Sequence, residues 1–365
     1  MPKALAEFRN SPLARPALMV PMLIMLIFSL FNLTSAPDPA RSTAAFRLGV
    51  VNQDEGLSFP PIKVASRVMD GLGSALPFNV TAFETADSAR QALEGGEVAA
   101  VILFPPEFSK QAVADEPFEI DIWNAQHLTV AETQMGAQLP MMVQMAMSAG
   151  VASLRLALAK GQIPSGSLPV TAKVDTLYLA DSSTRIAAPF VLTFATWLAA
   201  FVAAVLTFIA TRDIRLPWDR AAVRTVVPVF STGIGTVVLA LVAIAAIGSW
   251  GLFLPLWLTA WGASLALVLM MLGGFAAIGL VAIIVFLPMA FYQGALGGAM
   301  APVAAAPDWL RSIGEAVPFD LVGAVYRNVL HGASLDVPLI WLAGAGLVGL
   351  ALIWLAGLVA GMRAQ

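Results

Sequence analysis

Long apolar runs enclose one stretch in which apolar and polar positions alternate. A short basic segment, residues 1–16, leads into an apolar run over residues 17–36. Residues 37–186 alternate β-type and helix-compatible stretches, and apolar runs return from residue 187. A run of about 20 apolar residues can cross a bilayer as a helix. The pattern therefore predicts a polytopic α-helical membrane protein with six transmembrane helices and an α/β domain inserted between helices 1 and 2.

Residues 37–186 contain the alternation expected of a small α/β domain with a mixed or parallel sheet. The predicted strands cover residues 46–52, 78–83, 98–104, 118–124 and 170–179. The predicted helices cover residues 62–76, 86–93, 106–113 and 128–160. The last of these helices is rich in methionine, which favours packing in a core or against a second copy over an open adaptable surface.

The membrane domain, residues 187–365, supplies five further predicted transmembrane helices. They cover residues 187–210, 225–248, 252–273, 274–300 and 337–360. The turn between the third and fourth is placed at Gly273-Gly274, a boundary without charged residues. Helix 1 has a competing interpretation as a signal peptide, because Thr34-Ser35-Ala36 resembles a cleavage site. Its length and the following Pro37 favour an uncleaved helix.

Charge fixes the expected orientation. The chain is 59% hydrophobic and only 12% charged, and all charges fall outside the predicted spans. Residues 212–224, RDIRLPWDRAAVR, contain four arginines between two apolar runs, which is a positive-inside signal. The loop 211–224 and both termini are therefore predicted to be cytoplasmic, and the inserted domain, with sixteen acidic and ten basic residues, extracytoplasmic.

Familiar catalytic motifs do not occur in the sequence. It has no P-loop, no H-E-x-x-H and no G-x-S-x-G motif, and it has no cysteine. Its two histidines, His127 and His331, are far apart in sequence, so we expect no metal site, and we expect no enzyme activity in this chain. Spans without charge disfavour a proton-coupled secondary transporter, which needs ionisable groups within the bilayer.

Four local sequences resemble a known family. They are EFRNSP (residues 7–12), GVVNQDEG (49–56), GEVAAVILFPPEFS (96–109) and the stretch from PDWL (307–310) to His331-Gly332. Together with the predicted arrangement of one helix, an inserted domain and five further helices, these sequences resemble the type-2 ABC exporter permeases, in particular the YhgE/Pip (phage infection protein) branch. In that family the last stretch is an extracytoplasmic re-entrant region before the final helix, here residues 301–336. Its proline-broken apolar composition is compatible with this placement.

The resemblance implies a prokaryotic inner-membrane permease subunit. Such a subunit pairs with a second permease half, as a homodimer or heterodimer, and with cytoplasmic ATPase subunits. This chain would bind no cofactor, and ATP would bind on the partner. The lipid bilayer is an expected partner and nucleic acid is not. Spans without charge favour a lipophilic substrate. The alternative is a stand-alone surface receptor or secretion-complex scaffold.

Four groups of candidate site residues follow. The ATPase-coupling loop, whose alternative role is only to anchor the topology, comprises Arg212, Asp213, Arg215, Pro217, Trp218, Asp219, Arg220 and Arg224. The membrane-surface entry helix comprises Phe8, Arg9 and Arg15. A substrate route is assigned to Trp197, Trp257, Trp261, Tyr292 and Gln293, for which interfacial anchoring or packing is the alternative. Helix packing is assigned to Gly294, Gly298, Gly357 and Gly361.

Overall fold

A computed structural model describes most of the chain from residue 43 onward. The described residues are 43–58, 63–66, 68–69, 78–114, 117–158, 170–180, 183–296, 303–316, 321–333, 335 and 339–363. The predicted entry segment with Phe8, Arg9 and Arg15, the first predicted transmembrane helix and Gly298 lie outside this part.

A five-stranded mixed sheet forms the centre of the α/β domain. Its strands are β1 (Arg47–Asn52), β2 (Asn79–Phe83), β3 (Ala100–Phe104), β4 (Phe118–Ala125) and β5 (Val170–Leu177). The order across the sheet is β2-β1-β3-β4-β5. Only the β3–β4 pair is antiparallel. The five predicted strands are thus confirmed, and of the two sheet types that the sequence left open, mixed and parallel, the structure has the mixed one.

Sequence pattern explains the place of each strand in the sheet. β3, with the sequence AVILF, is apolar throughout and lies buried in the middle. β4 alternates instead, with Phe118, Ile120 and Ile122 in the core and Glu119 and Asp121 exposed. A continuous apolar run is typical of a strand covered on both faces, and alternation of one covered on a single face.

Among the described residues, three helices pack on this sheet. They are α1 (Ala86–Glu94), α2 (Phe108–Val113) and α3 (Val130–Leu158). α1 packs on β1 and β3, and α3 packs on β4 and β5. At the start of α3, Thr129 and Glu132 bond to each other's backbone N–H groups, at 3.3 and 3.2 Å. This is a capping box. α3 then runs through Pro140 without a break.

The second half of the chain is a helical bundle. Its helices are α4 (Ser183–Ala210), α5 (Pro217–Ile247), α6 (Phe253–Ile278), α7 (Ile283–Leu296), α8 (Asp308–Ala316), α9 (Leu321–His331) and α10 (Leu339–Arg363). α6 lies at the centre and contacts α4, α5, α9 and α10. Its buried face includes Leu267, Met271 and Phe275.

Four stretches of the described residues are long and apolar enough to cross a membrane. They are Thr184–Ala210, Pro217–Ile247, Trp250–Tyr292 and Leu339–Arg363. The third contains both α6 and α7, separated at Gly279, which has a φ of 68°. α7 has 14 residues in the structure. The apolar helices of a membrane protein are therefore present, whereas the prediction of six spans remains a prediction.

The turn predicted at Gly273-Gly274 lies elsewhere. α6 passes through both glycines and ends at Ile278. A Cβ atom at Gly273 would lie 2.5 Å from the Cα and carbonyl oxygen of Gly349 in α10. Gly273 is therefore required by a close helix crossing, and the chain turns at Gly279, where the positive φ favours glycine.

α9 packs into the bundle and also reaches the α/β domain. Val322, Tyr326 and Leu330 are buried in the same core as the long helices. The Tyr326 hydroxyl and Thr196 Oγ1 in α4 are 2.6 Å apart. Just beyond α9, the Leu335 side chain lies against Gly96 of the α/β domain, where an added Cβ would be only 2.7 Å from Leu335 Cδ2. The re-entrant region predicted over residues 301–336 remains a prediction.

Candidate functional site

The turn between α4 and α5 is held closed by two arginines of α5. Arg220 donates through Nε and Nη2 to the carbonyl oxygen of Ile214, at 3.1 and 2.5 Å. The buried Arg224 donates through Nε to Thr211 Oγ1 at 2.8 Å, and its guanidinium lies 4.5 Å from the centre of the Phe208 ring. We call residues 211–224 the arginine hairpin. Two of its four arginines thus act inside the fold.

The tip of the arginine hairpin presents a mixed charged and apolar surface. The exposed side chains are Arg212, Asp213, Arg215, Leu216, Trp218 and Asp219. Within this described segment no salt bridge joins its arginines to Asp213 or Asp219. Trp218 is anchored beside Trp354 of α10, with ring centres 6.1 Å apart. Exposed tryptophan and arginine are the residue types that most often dominate protein–protein contacts.

A recess lies at the same end of the bundle. Pro217, Arg220 and Arg224 of α5 face Ala276 of α6 and the end of α10 across a cavity of about 160 Å³. The small side chains Ala356, Gly357 and Ala360 keep it open. The ends of α5, α6 and α10 meet at this recess.

A larger cavity lies between α4 and α5 along the bundle. We call it the hydroxyl groove, and its volume is about 380 Å³. The lining residues are Ala195, Thr196, Ala199, Ala200, Ala203, Ser231, Thr232, Gly235, Thr236, Val238, Leu239, Val242 and Ser264. The lining contains no charged residue. Its size comes from small side chains on the facing sides of both helices.

The polar groups of the hydroxyl groove are satisfied mainly within the protein. Thr232 Oγ1 donates to the carbonyl oxygen of Pro228 at 2.6 Å, and Thr236 Oγ1 to that of Thr232 at 2.7 Å. These bonds to the preceding turn are typical of threonine in apolar helices. These two bonds occupy the hydroxyl protons of Thr232 and Thr236, whereas the lone pairs of the hydroxyl oxygens remain as acceptors. The groove therefore offers weak hydrogen-bond acceptors in an apolar setting.

The predicted substrate-route residues lie in packing positions. Trp257 and Trp261 stack with ring centres 5.6 Å apart and donate to the carbonyl oxygens of Gly233 and Val229 in α5. Trp197 is buried in the core of the bundle. Tyr292 donates to the carbonyl oxygen of Leu310 at 2.5 Å. None of these four lines the hydroxyl groove, and their role in a route remains a prediction, as does that of Gln293.

The predicted packing glycines divide between two places. Gly357 packs against Ala221 and the carbonyl oxygen of Pro217, so it joins α10 to α5 within one chain. A Cβ on Gly361 would lie 3.7 Å from Trp218 Nε1. Gly294 lies in α7. Gly273 and Gly349, which form the close crossing of α6 and α10, are not among the packing glycines that the sequence predicts.

Two of the family-like sequences meet in the α/β domain. Asp54, from GVVNQDEG, accepts hydrogen bonds from Ser109 Oγ at 2.5 Å and Ser109 N at 2.9 Å, where Ser109 ends GEVAAVILFPPEFS. The backbone N–H groups of Gly56 and Ala65 also donate to it. Burial alone would raise the pKa of Asp54, but these four donors lower it below its usual range. This carboxylate therefore locks two loops together.

Both histidines lie at the junction of the domain and the bundle. His127 is fully buried, with its ring 4.4 Å from that of Tyr178. Burial lowers its pKa to about 4, and the positive charges of His331 and Arg327 add to the effect. His127 is therefore neutral near pH 7. Among the described residues no group of three or more metal-ligating side chains occurs.

Comparison with known proteins gives little support for assigning the chain to a family. No protein-family model matches the chain, and no curated protein matches it in sequence. One solved structure, from Thermotoga maritima MSB8, is described as "a domain of a putative ABC type-2 transporter". It covers 36% of this chain and 86% of its own, at 18% identity and a TM-score of 0.29. A likeness this weak does not establish a shared fold.

Sequence reasoning missed the hydroxyl groove and Leu216. The groove had a readable signal, because small and hydroxyl residues recur at positions 195, 196, 199, 200 and 203 and again at 231, 232, 235 and 236. Spacings of three and four place such residues on one helix face. Nothing in the sequence showed that the two faces lie opposite each other.

Proposed function

We propose that this chain is the membrane-spanning permease subunit of an ABC-type exporter, driven by separate ATPase subunits that bind ATP. One observation carries the proposal. The arginine hairpin joins the two helices, α4 and α5, that form the walls of the hydroxyl groove. A partner that moves the hairpin would therefore move both walls of the groove.

The arginine hairpin is built to transmit such a displacement. Only six residues, 211–216, separate α4 from α5. Arg220 and Arg224 of α5 donate hydrogen bonds to this turn, so the turn is fixed to the start of α5. The exposed tip then serves as the docking surface. Its arginines, unpaired with Asp213 or Asp219, favour an acidic patch on the ATPase subunit.

The hydroxyl groove favours a lipophilic substrate. Its lining is uncharged, and the hydroxyl protons of Thr232 and Thr236 are bonded to helix carbonyls. A charged substrate would lose its hydration there without a compensating partner, at a cost of several kcal/mol. We therefore propose a substrate that is mainly apolar and has at most a few hydrogen-bond donors.

Charge reversal at the hairpin tip tests the proposal. The full chain is isolated from its native membrane, and co-purifying subunits and ATP hydrolysis are measured in lipid nanodiscs. Replacing the exposed Arg212 and Arg215 by Glu should lower the amount of bound ATPase at least about tenfold, since every 1.4 kcal/mol is worth a factor of ten. Arg363→Glu is the matched control, because Arg363 is exposed at the end of α10, outside the hairpin.

The proposal fails if the isolated assembly contains no ATP-hydrolysing subunit, a result that would favour the receptor or scaffold alternative. It also fails if the double variant and Arg363→Glu retain equal amounts of ATPase. A lipophilic compound that stimulates hydrolysis in the unaltered complex should be sought in the same preparation, and Ala199→Leu, which fills the groove, should abolish that stimulation.

Orientation has a separate test, because the chain contains no cysteine. Asp87→Cys in α1 and Asp213→Cys in the arginine hairpin both replace exposed aspartates. An impermeant maleimide added to intact spheroplasts should label the first and leave the second unlabelled until the membrane is opened. Reversed labelling would place the hairpin outside the cell, where no ATPase subunit could reach it.

A further inference from the structure

The outer face of α3 carries no charge over most of its length. Among the residues of this helix whose burial the structure describes, the exposed ones are Gln134, Ala137, Gln138, Met141, Met145, Ala146, Ala149, Gly150, Ala152 and Ser153. Met141 is 69% exposed and Met145 63%. We call these residues the α3 face. They follow one side of the helix at the spacing of an α-helical repeat.

The two charged residues of α3 both point inward. Glu132 pairs with Arg47 at 2.6 Å, and Arg155 donates to the carbonyl oxygens of Ala112 and Gln111. They are 3% and 8% exposed. All the charge on a helix of 29 residues is thus used to fasten it to the domain. A solvated helix face normally carries charged side chains.

Other outward faces of the domain are charged. α1 exposes the pair of Arg90 and Glu94. β4 exposes Glu119 and Asp121, and β5 exposes Lys173 and Asp175. The inserted domain as a whole has sixteen acidic and ten basic residues. Two such domains repel each other through most of their surface, and the α3 face lets them approach without bringing carboxylates together.

We propose that the α3 face is a contact with the α3 face of a second copy of this chain. A two-fold contact uses the same patch on both partners, so it must be self-complementary. Alanine and glycine allow the helices to approach, methionine adapts its shape across the contact, and the glutamine amides can pair with each other. A charged partner would find no oppositely charged side chain on this face.

Its size indicates that the contact works only between tethered domains. From Gln134 to Ser153 the face is about 29 Å long at 1.5 Å per residue and about 10 Å wide. That is roughly 300 Å² per partner, well below the roughly 800 Å² of a typical independent interface. Anchoring both copies in one membrane raises their effective concentration and makes a small contact sufficient. The proposal needs two copies of this chain and no ATPase, so it goes beyond the proposed function.

Disulfide trapping in the native membrane tests the contact. Met141→Cys and Met145→Cys, in the middle of the face, should form disulfide-linked homodimers of the full chain under mild oxidation. Asp87→Cys on α1 and Lys173→Cys on β5 are matched controls at exposed positions of the same domain. We expect at least about tenfold more dimer at the α3 positions than at the controls.

Charged substitutions at Met145 provide a second test of the contact. Met145→Glu should leave the fold intact, because Glu is solvated at this exposed position and its helix propensity is close to that of Met. Added to Met141→Cys, it should lower dimer formation about tenfold. A differently tagged copy with Met145→Lys should restore dimers with the Glu copy, which only a direct contact between copies explains.

Equal dimer yields at the α3 and control positions would overturn the contact, as would Met145→Glu without effect. Fully accessible thiols at Met141→Cys that form no dimer would also overturn it, and blocked thiols without dimer would assign the face to another occupant. Dimers from a preparation that contains no ATPase would support this contact while refuting the exporter. An ATPase complex without dimers would do the reverse.

Discussion

Replacing Gly273 by alanine measures the close crossing of α6 and α10. The added Cβ would lie 2.5 Å from the Cα and carbonyl oxygen of Gly349, whereas ordinary contact begins at 3.4 Å. One helix must therefore retreat by about 0.9 Å, and main-chain atoms cannot rotate away as a flexible side chain can. Overpacking of this kind costs about 1–3 kcal/mol.

Gly262→Ala is the control on the same helix. A Cβ at Gly262 meets nothing within 4 Å, so only the gain in helix propensity remains, about 0.5–1 kcal/mol in favour of alanine. The same gain offsets part of the cost at Gly273. The two variants should thus differ by about 1–3 kcal/mol in the free energy of unfolding, with Gly273→Ala the less stable.

Unfolding of the purified chain in mixed detergent and SDS micelles, followed by tryptophan fluorescence, gives the free energies. Gly349→Ala and Gly344→Ala repeat the comparison on α10, where a Cβ on Gly349 would meet Leu269 O and one on Gly344 meets nothing within 4 Å. Equal stabilities within both pairs would refute the crossing and restore the turn that the sequence predicts at Gly273-Gly274.

Two further predictions concern the α/β domain. Asp54→Asn should destabilise it by about 1.5–3 kcal/mol, because a neutral amide replaces a charged acceptor of four hydrogen bonds. Unfolding of Asp54→Asn beside the exposed Glu55→Gln checks this, and similar stabilities would contradict the lock between the two loops. For His127, whose pKa falls to about 4 in the fold, the unfolded chain takes up the proton first as the pH falls. Stability should hold above pH 6.5 and decline between 6.5 and 4 by up to about 3 kcal/mol, at 1.36 kcal/mol for each pKa unit. Hydrogen exchange around Tyr178 against pH measures the decline, and His127→Phe should remove it; an unchanged profile in that variant would assign the pH dependence to other groups.

The sheet was predictable because local pattern determines strands. The alternation in β4 and the unbroken apolar run of β3 state which faces are covered before any tertiary contact is known. The crossing at Gly273 was not predictable in the same way. A glycine at a turn and a glycine at a close helix approach look alike in sequence, and only the position of Gly349 distinguishes them.

The arginine hairpin shows the same limit for charge. Counting charges correctly marks residues 212–224 as exceptional, since four arginines follow a long apolar run. Counting cannot show that Arg220 turns back onto the carbonyl oxygen of Ile214 and Arg224 onto Thr211 Oγ1, while Arg212 and Arg215 remain exposed. The side-chain directions depend on where α4 ends and α5 begins. An alanine variant at Arg220 would therefore disturb the hairpin itself and say little about docking.

α9 has a mechanical consequence for the whole molecule. It is bonded to α4 twice, through Tyr326 to Thr196 and through the carbonyl oxygen of Leu330 to Arg185. Only five residues separate the end of β5 at Leu177 from the start of α4 at Ser183. One wall of the hydroxyl groove is thus continuous with the sheet of the α/β domain. A widening of the groove that displaces α4 must therefore carry α9 with it or break the hydrogen bonds of Thr196 and Arg185.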